Sequence, residues 1–241
     1  MKKILIIDDD KAISKLLEIN ISNNGYTTET AYDGEQGTAL ALDNDFALIL
    51  LDITLPKLDG IEVCKRIRKE KQTPIIMLTG KTQELDKVLS LELGADDYVT
   101  KPFGIRELMA RMKAVIRRCN DEPNKIQNKT LLFGDLFIDI AKRKVMKNQD
   151  KIGLSPKEFE LLILLASNPG KIFSRINLLQ IVWGYDFKGY SHTVNSHINR
   201  LRSKVELDMT NPEFILTEWG IGYKFNEELS ASFNEELSIT I

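Results

Sequence analysis

Cysteine and histidine are scarce in this chain of 241 residues, with two of each. Cys64 and Cys119 stand far apart without a Cys-x-x-Cys spacing, which argues against a disulfide framework or a zinc site and fits a reducing compartment. Long apolar runs are missing too. The longest unbroken ones, 46–51 and 161–166, fall far short of the roughly 20 residues that cross a bilayer, so no membrane partner is expected. The opening Met1-Lys2-Lys3 has the charge of a secretion signal, but its apolar run stops after four residues at Asp8-Asp9-Asp10. A cytoplasmic location is therefore expected. Aromatic residues make up only 7% of the chain, yet 43% is hydrophobic and 28% charged with a net charge of -2, too apolar and too balanced for a disordered chain. At roughly 150 residues per domain, two small domains are expected.

The near-neutral total conceals an uneven distribution. Residues 1–120 carry 18 Lys+Arg against 19 Asp+Glu, residues 121–226 carry 15 against 12, and 227–241 carry 0 against 4. A surplus of three is weak evidence for nucleic acid until the cations are shown to cluster.

In the first half, apolar strand-like runs at 3–8, 26–31, 46–52, 74–79 and 97–100 alternate with helical patterns at 11–23, 34–43, 60–69, 82–93 and 105–118. Five strands alternating with five helices predict an α/β doubly wound, five-stranded parallel sheet with helices on both faces. Ligands of such sheets bind beyond the carboxyl ends of the strands. Residues 120–129, polar and without an apolar stripe, read as a linker. The rhythm then changes. Short antiparallel strands are predicted at 131–139 and 144–147, helices from Ser155-Pro156-Lys157-Glu158 and at 174–182 and 191–206, and a hairpin at 215–224. That pattern suggests an α+β winged helix-turn-helix domain. The domains expected are thus 1–119, a linker at 120–129, 130–226, and an acidic tail at 227–241, in which Phe-Asn-Glu-Glu-Leu-Ser at 225–230 recurs at 233–238. A period of eight is too short for a solenoid.

The strand ends carry the chemistry. Asp8 and Asp9 close the first predicted strand, Asp52 the third, Thr79 the fourth and Lys101 the fifth, and a parallel sheet gathers them on one edge. Unpaired, three carboxylates would repel strongly. Hard oxygen donors in small number suit a magnesium ion, with Lys101 as a fixed charge beside it. Asp52 is the natural nucleophile toward phosphorus, with the metal, Lys101 and Thr79 neutralising the equatorial oxygens of the moving group. A lone acid at a strand end is usually a turn or cap residue, but five such groups on one edge are a site hypothesis.

These residues carry a resemblance. Ile-Ile-Asp-Asp-Asp at 6–10, Leu-Asp-Ile-Thr-Leu-Pro-Lys-Leu-Asp-Gly at 51–60, Met-Leu-Thr-Gly at 77–80 and Gly-Ala-Asp-Asp-Tyr-Val-Thr-Lys-Pro-Phe at 94–103 resemble the receiver domain of two-component response regulators. The resemblance implies that Asp52 takes a phosphoryl group from a sensor histidine kinase. It further implies that Asp9, Asp52 and the Thr54 carbonyl bind Mg2+ with Asp8 acting through water, that Thr79 and Tyr98 switch, and that the Lys101–Pro102 peptide is cis. Such a protein is a phosphoacceptor and not an enzyme beyond slow, Mg-dependent self-dephosphorylation. Asp8-x-Asp10 also imitates the haloacid-dehalogenase phosphatases, but their motif continues with Thr or Val where Ala12 stands.

Ser191–Val205 has no acid, three Lys or Arg, and Val194, Ile198, Leu201 and Val205 along one stripe. Its other face, with Asn, His, Arg and Lys, is sized for a major groove, where Arg and Asn read base edges and Lys and Ser hold phosphates. With Leu-Ser-Pro-Lys-Glu-Phe-Glu-Leu-Leu at 154–162, Val-Trp-Gly at 182–184 and Gly-x-Gly-Tyr-Lys-Phe at 220–225, it resembles the OmpR/PhoB winged-helix effector. Promoter DNA is then the partner, met by His192, Asn195, Ser196, Asn199, Arg200, Arg202, Lys204 and Trp219, with RNA polymerase a further candidate. His192, Asn195 and Trp219 depart from the usual Arg, Asp and Arg. In that subfamily, positions matching Lys87, Glu92, Asp96, Asp97, Glu107, Arg111 and Arg118 bridge the subunits of an active homodimer, which implies dimerisation on phosphorylation here. A receiver that binds DNA without phosphorylation is the competing expectation.

Overall fold

The computed structural model describes residues 1–80, 94–120, 130–184 and 191–229. The chain divides into two compact units between residues 120 and 121. The expected helix at 82–93, with Lys87 and Glu92, lies outside the described residues, as do most of the linker and of the tail. No described helix is long and apolar enough to cross a membrane.

In the first unit, β1 (Lys3–Ile7), β2 (Thr27–Ala31), β3 (Leu48–Asp52), β4 (Ile75–Gly80) and β5 (Asp97–Lys101) form one parallel sheet in the order β2-β1-β3-β4-β5. β3 and nearly all of β1 and β4 are buried because α1 (Lys11–Asn23) and α4 (Ile105–Asn120) pack on one face and α2 (Gly34–Asp43) and α3 (Gly60–Glu70) on the other. Strand alternation divides the core accordingly: Ile4, Ile6, Leu48 and Leu50 meet Leu17, Ile21 and Met112, whereas Leu5, Ile7, Ile49 and Leu51 meet Val63 and Ile67. Sheet order reverses between β1 and β3, which opens a crevice at their carboxyl ends.

Two glycines set the backbone there. A Cβ at Gly60 would lie 1.9 Å from the Asp52 carbonyl oxygen, and one at Gly34 1.9 Å from that of Leu58, so α3 and α2 begin tight against the loop after β3. Asp10, Asp33 and Asp59 cap α1, α2 and α3 by accepting backbone N–H bonds. Of the first acidic triplet, Asp10 is therefore a cap.

The second unit opens on the antiparallel sheet β6 (Thr130–Phe133), β7 (Leu136–Asp139), β8 (Lys144–Lys147) and β9 (Asp150–Ile152). The single strand expected at 131–139 is two: Gly134, at φ 57°, turns the chain. β9 has no counterpart among the expected strands, because its turn uses Asn148 and Gln149, both at positive φ, without the glycine that usually announces such a hairpin. Helices α5 (Pro156–Ala166), α6 (Arg175–Trp183) and α7 (Ser191–Val205) follow, and β10 (Phe173–Ser174) joins the wing β11 (Ile215–Glu218) and β12 (Gly222–Phe225) in the order β10-β12-β11. Ser155 and Glu158 form the expected capping box on α5, and Val194, Ile198, Leu201 and Val205 are all buried.

One buried ion pair lies near the opposite edge of the parallel sheet from the acidic residues. Arg68 donates to Asp96 Oδ2 (2.8 Å), to the Gly94 carbonyl (2.8 Å) and to the Thr73 carbonyl (2.6 Å), while Asp96 Oδ2 also accepts the Ile75 N–H (2.9 Å). Removing one partner strands the other's charge in the interior. Arg68→Ala is expected to destabilise the first unit by about 3–5 kcal/mol, measured by urea unfolding of the full chain; a loss under about 1 kcal/mol would show that water reaches Asp96.

Candidate functional site

Asp8 and Asp9 follow directly on β1, and Asp52 ends β3 beside them. Asp8 is fully buried and Asp52 is 6% exposed, while Asp9 is exposed. The Asp8 carboxylate accepts the Asp10 N–H (3.0 Å) through Oδ1 and the Lys101 ammonium (2.7 Å) through Oδ2. Asp52 Oδ1 accepts the Ile53 N–H (2.8 Å), and its Oδ2 accepts a second bond from Lys101 Nζ (2.9 Å). Carboxylate oxygens of Asp8, Asp9 and Asp52 lie within 4.8 Å of one another. Three acids thus face one lysine.

Burial pushes the Asp52 carboxyl above its ordinary range, helped by the Asp8 charge and opposed by Lys101 and the Ile53 N–H. For Lys101, burial works downward, but the bonds to Asp52 and Asp8 outweigh it and hold the ammonium above its usual value. Exposed Asp9 beside two buried carboxylates is a hard, oxygen-only donor set with unbalanced negative charge, which fits a small divalent cation.

Thr79 is buried on β4 and its hydroxyl donates to the Gly80 carbonyl (3.0 Å), so it makes no bond to the acids. Tyr98 is half-buried against the core of the α2–α3 face. Thr54 is exposed two residues beyond Asp52, and the Lys101–Pro102 peptide is cis.

Of the residues expected at a dimer face, Asp97, Glu107 and Arg111 form a chain of contacts: Arg111 reaches Glu107 (3.0 Å) and Asp97 (3.2 Å). Asp96 does not belong with them. It is 1% exposed and spent on Arg68, a long-range pairing that spacing alone does not reveal. Arg118 sits near the end of α4, where its side chain is not described.

On α7 the structure corrects the expected outward face. Arg202 is buried and donates to the Ile215 carbonyl through Nε (3.0 Å) and Nη2 (2.6 Å) and to the Thr217 hydroxyl (2.8 Å). It holds the wing and cannot also reach a groove. The Asn195 amide oxygen is likewise occupied, accepting from Arg175 Nε (2.9 Å) and the Tyr223 hydroxyl (2.8 Å). Lys204 (2.6 Å) and Arg200 (3.7 Å) both lean on the buried Glu158. His197 is buried edge-on to Trp183. Asn199 and Ser203 are exposed, Ser196 is half-buried, and Trp219 stands 90% exposed at the tip of the wing. The His192 side chain lies outside the described ones. In the sequence Glu158 is legible only as a cap, and Arg175 and Tyr223 carry no local signal.

The pH dependence of the acidic site has a definite sign. Since Asp52 is held above its unfolded value, its contribution to stability is complete below the ordinary carboxylate range and is lost as pH rises through the folded value. Asp52→Asn carries no such loss. Without added cation its thermal midpoint at neutral pH is expected to equal or exceed that of the wild type, the difference closing near about pH 3. A variant less stable at neutral pH would show that Lys101 outweighs burial.

Comparison with known proteins bears on both units. Residues 4–113 match the response regulator receiver domain, and residues 148–225 match the C-terminal domain of transcriptional regulatory proteins. The response regulator DrrB, a Thermotoga maritima OmpR/PhoB homologue, is 35% identical over 94% of this chain and 99% of its own, with a TM-score of 0.47. A RitR mutant is 25% identical over 94% of this chain and 100% of its own, with a TM-score of 0.68. A two-component response regulator from Clostridium difficile is 35% identical, covering 50% of this chain and 100% of its own, with a TM-score of 0.49. With a receiver fold, an acidic crevice and a winged helix on one polypeptide, the chain belongs to the two-component response regulators of the OmpR/PhoB type, which act as transcription factors.

Proposed function

We propose that Asp52 is the phosphoacceptor and that its phosphorylation promotes a homodimer that binds promoter DNA in the cytoplasm. The observation that carries this reading is the Asp52 carboxylate, nearly buried at the end of β3 and bonded by Lys101 alongside Asp8. A carboxylate oxygen attacks the phosphorus of a kinase phosphohistidine, the O–P bond forming as the N–P bond breaks and the imidazole leaves. Lys101 faces the charge that arrives. Asp9, Asp52 and the Thr54 carbonyl would hold Mg2+, with Asp8 acting through water; when bound, the ion would neutralise the equatorial oxygens of the phosphoryl group. Thr79 then exchanges its bond to the Gly80 carbonyl for one to the new phosphoryl oxygen, and Tyr98 shifts against the core. The chain acts as a phosphoacceptor, with no turnover beyond slow self-dephosphorylation.

The dimer face on this reading comprises Lys87, Glu92, Asp97, Glu107, Arg111 and Arg118, without Asp96. The pairs of Arg111 within one subunit are part-exposed and each contributes about 0.2–1 kcal/mol, so partners can be exchanged at little cost. In the effector, Ser196, Asn199 and neighbouring His192 face DNA, Arg200 and Lys204 flank it, and RNA polymerase is the further partner.

Acetyl phosphate with magnesium tests the assignment. Wild type should acquire an acid-labile acyl phosphate that Asp52→Asn lacks and Asp9→Ala loses together with its magnesium dependence. Labelling of Asp52→Asn at the wild-type level would remove the nucleophile from this position. Sedimentation of the phosphorylated chain should show a dimer that high salt weakens and Arg111→Glu abolishes; an unchanged dimer in that variant would exclude this face. Half-sites occupied by the dimer should lie about 10–10.5 base pairs apart or a multiple of that, as footprinting would show.

A further inference from the structure

The exposed ridge of α7 has little charge with which to hold a polyanion. Helical periodicity sets Ser196, Asn199 and Ser203 opposite the buried stripe, and all three are neutral. The cations flanking them are engaged elsewhere: Arg200 and Lys204 with Glu158, Arg202 with the wing backbone, and Lys224 on β12 with Glu218 and Glu227, each at 3.1 Å. Arg175 differs. Among the described cations of α6, α7 and the wing, it is the half-exposed one with no carboxylate within ion-pair distance.

Its position is nevertheless fixed. Nε donates to Asn195 Oδ1 (2.9 Å), that same oxygen accepts the Tyr223 hydroxyl (2.8 Å), and the guanidinium carbon lies 5.1 Å from the Tyr223 ring centroid. α6, α7 and β12 therefore converge on one arginine. An aspartate at position 195 could make the same bonds but would neutralise the guanidinium; the amide orients it and leaves its charge intact.

We propose that Arg175 binds a backbone phosphate for the effector, oriented by Asn195 and Tyr223 so that its remaining N–H groups take a DNA phosphate beside the groove that α7 enters. Asn195 is on this account a positioning residue and not a base reader. The inference rests on the reading of α7 as the DNA helix.

The test titrates the full chain on a random-sequence duplex of about 24 base pairs between about 50 and 200 mM KCl. Removing one phosphate-binding cation lowers the salt slope by about 0.9, so the fourfold rise in salt should weaken Arg175→Ala about 3.5-fold less than wild type. Asn195→Asp, which is isosteric and keeps the hydrogen bonds, should show a similar fall in slope, whereas Lys151→Ala, on the other sheet, should not. Wild-type slopes in both Arg175→Ala and Asn195→Asp would overturn the proposal while leaving α7 as the DNA helix. A wild-type chain that binds no duplex would overturn the α7 reading and the proposal with it.

Discussion

Lys101 Nζ donates to Asp8 and Asp52 at once, and the acidic edge of the receiver depends on that pair of bonds. The parallel sheet forces the ends of β1 and β3 side by side, so their carboxylates meet whether or not the pairing is favourable. One ammonium cannot balance three acids, and burial has already raised Asp52. The crevice therefore carries unbalanced negative charge, held in place by the buried apolar strands of the sheet. Burial and charged neighbours that perturb a titratable group at a cleft are the physical mark of a candidate functional site. The glycine at position 60 belongs to the same device: without a Cβ it lets α3 start against the Asp52 carbonyl, so the loop after β3 stays short and Asp52 stays at its edge.

Much of this is legible in residue order. The alternation of apolar runs with amphipathic stretches places the strands of the receiver to within a residue or two, and Asp8, Asp9, Asp52 and Lys101 fall together because parallel strands leave no freedom in which end they share. What escapes is non-local. Asp96 looks like its neighbour Asp97 in sequence, yet the first turns inward to Arg68, 28 positions earlier, and the second outward to Arg111. Their adjacency at the start of β5 cannot show which of the two is paired in the interior, because burial of an acid is decided by a partner on another element. The Asn148-Gln149 turn is hidden for a local reason instead: both residues adopt positive φ without the glycine that marks such turns.

The effector shows the same limit more sharply. Periodicity places the apolar stripe of α7 correctly, since a helix must bury that face. It cannot sort the polar residues, because Arg202, Asn195 and Lys204 find their partners on the wing, α6 and α5. Glu206 adds to this by accepting N–H bonds from Glu213, Phe214 and Ile215. α7 and the wing are thus joined through buried polar bonds at both Arg202 and Glu206, and the exposed Trp219 is carried on a strand pair anchored to the helix.

Glu158 decides how the remaining charges of α7 can be used. Its carboxylate is 1% exposed and accepts the Ser155 N–H (2.9 Å) while pairing with Lys204 and Arg200. A buried carboxylate that loses its cations is costly, of the order of 3–5 kcal/mol, whereas one phosphate contact in water repays far less. Lys204 and Arg200 can therefore lend their field to DNA from where they stand, but leaving Glu158 to grip a phosphate would cost more than it returned. Direct phosphate contacts must come from cations without such an obligation, and the neutral acceptor at Asn195 is what keeps Arg175 in that class.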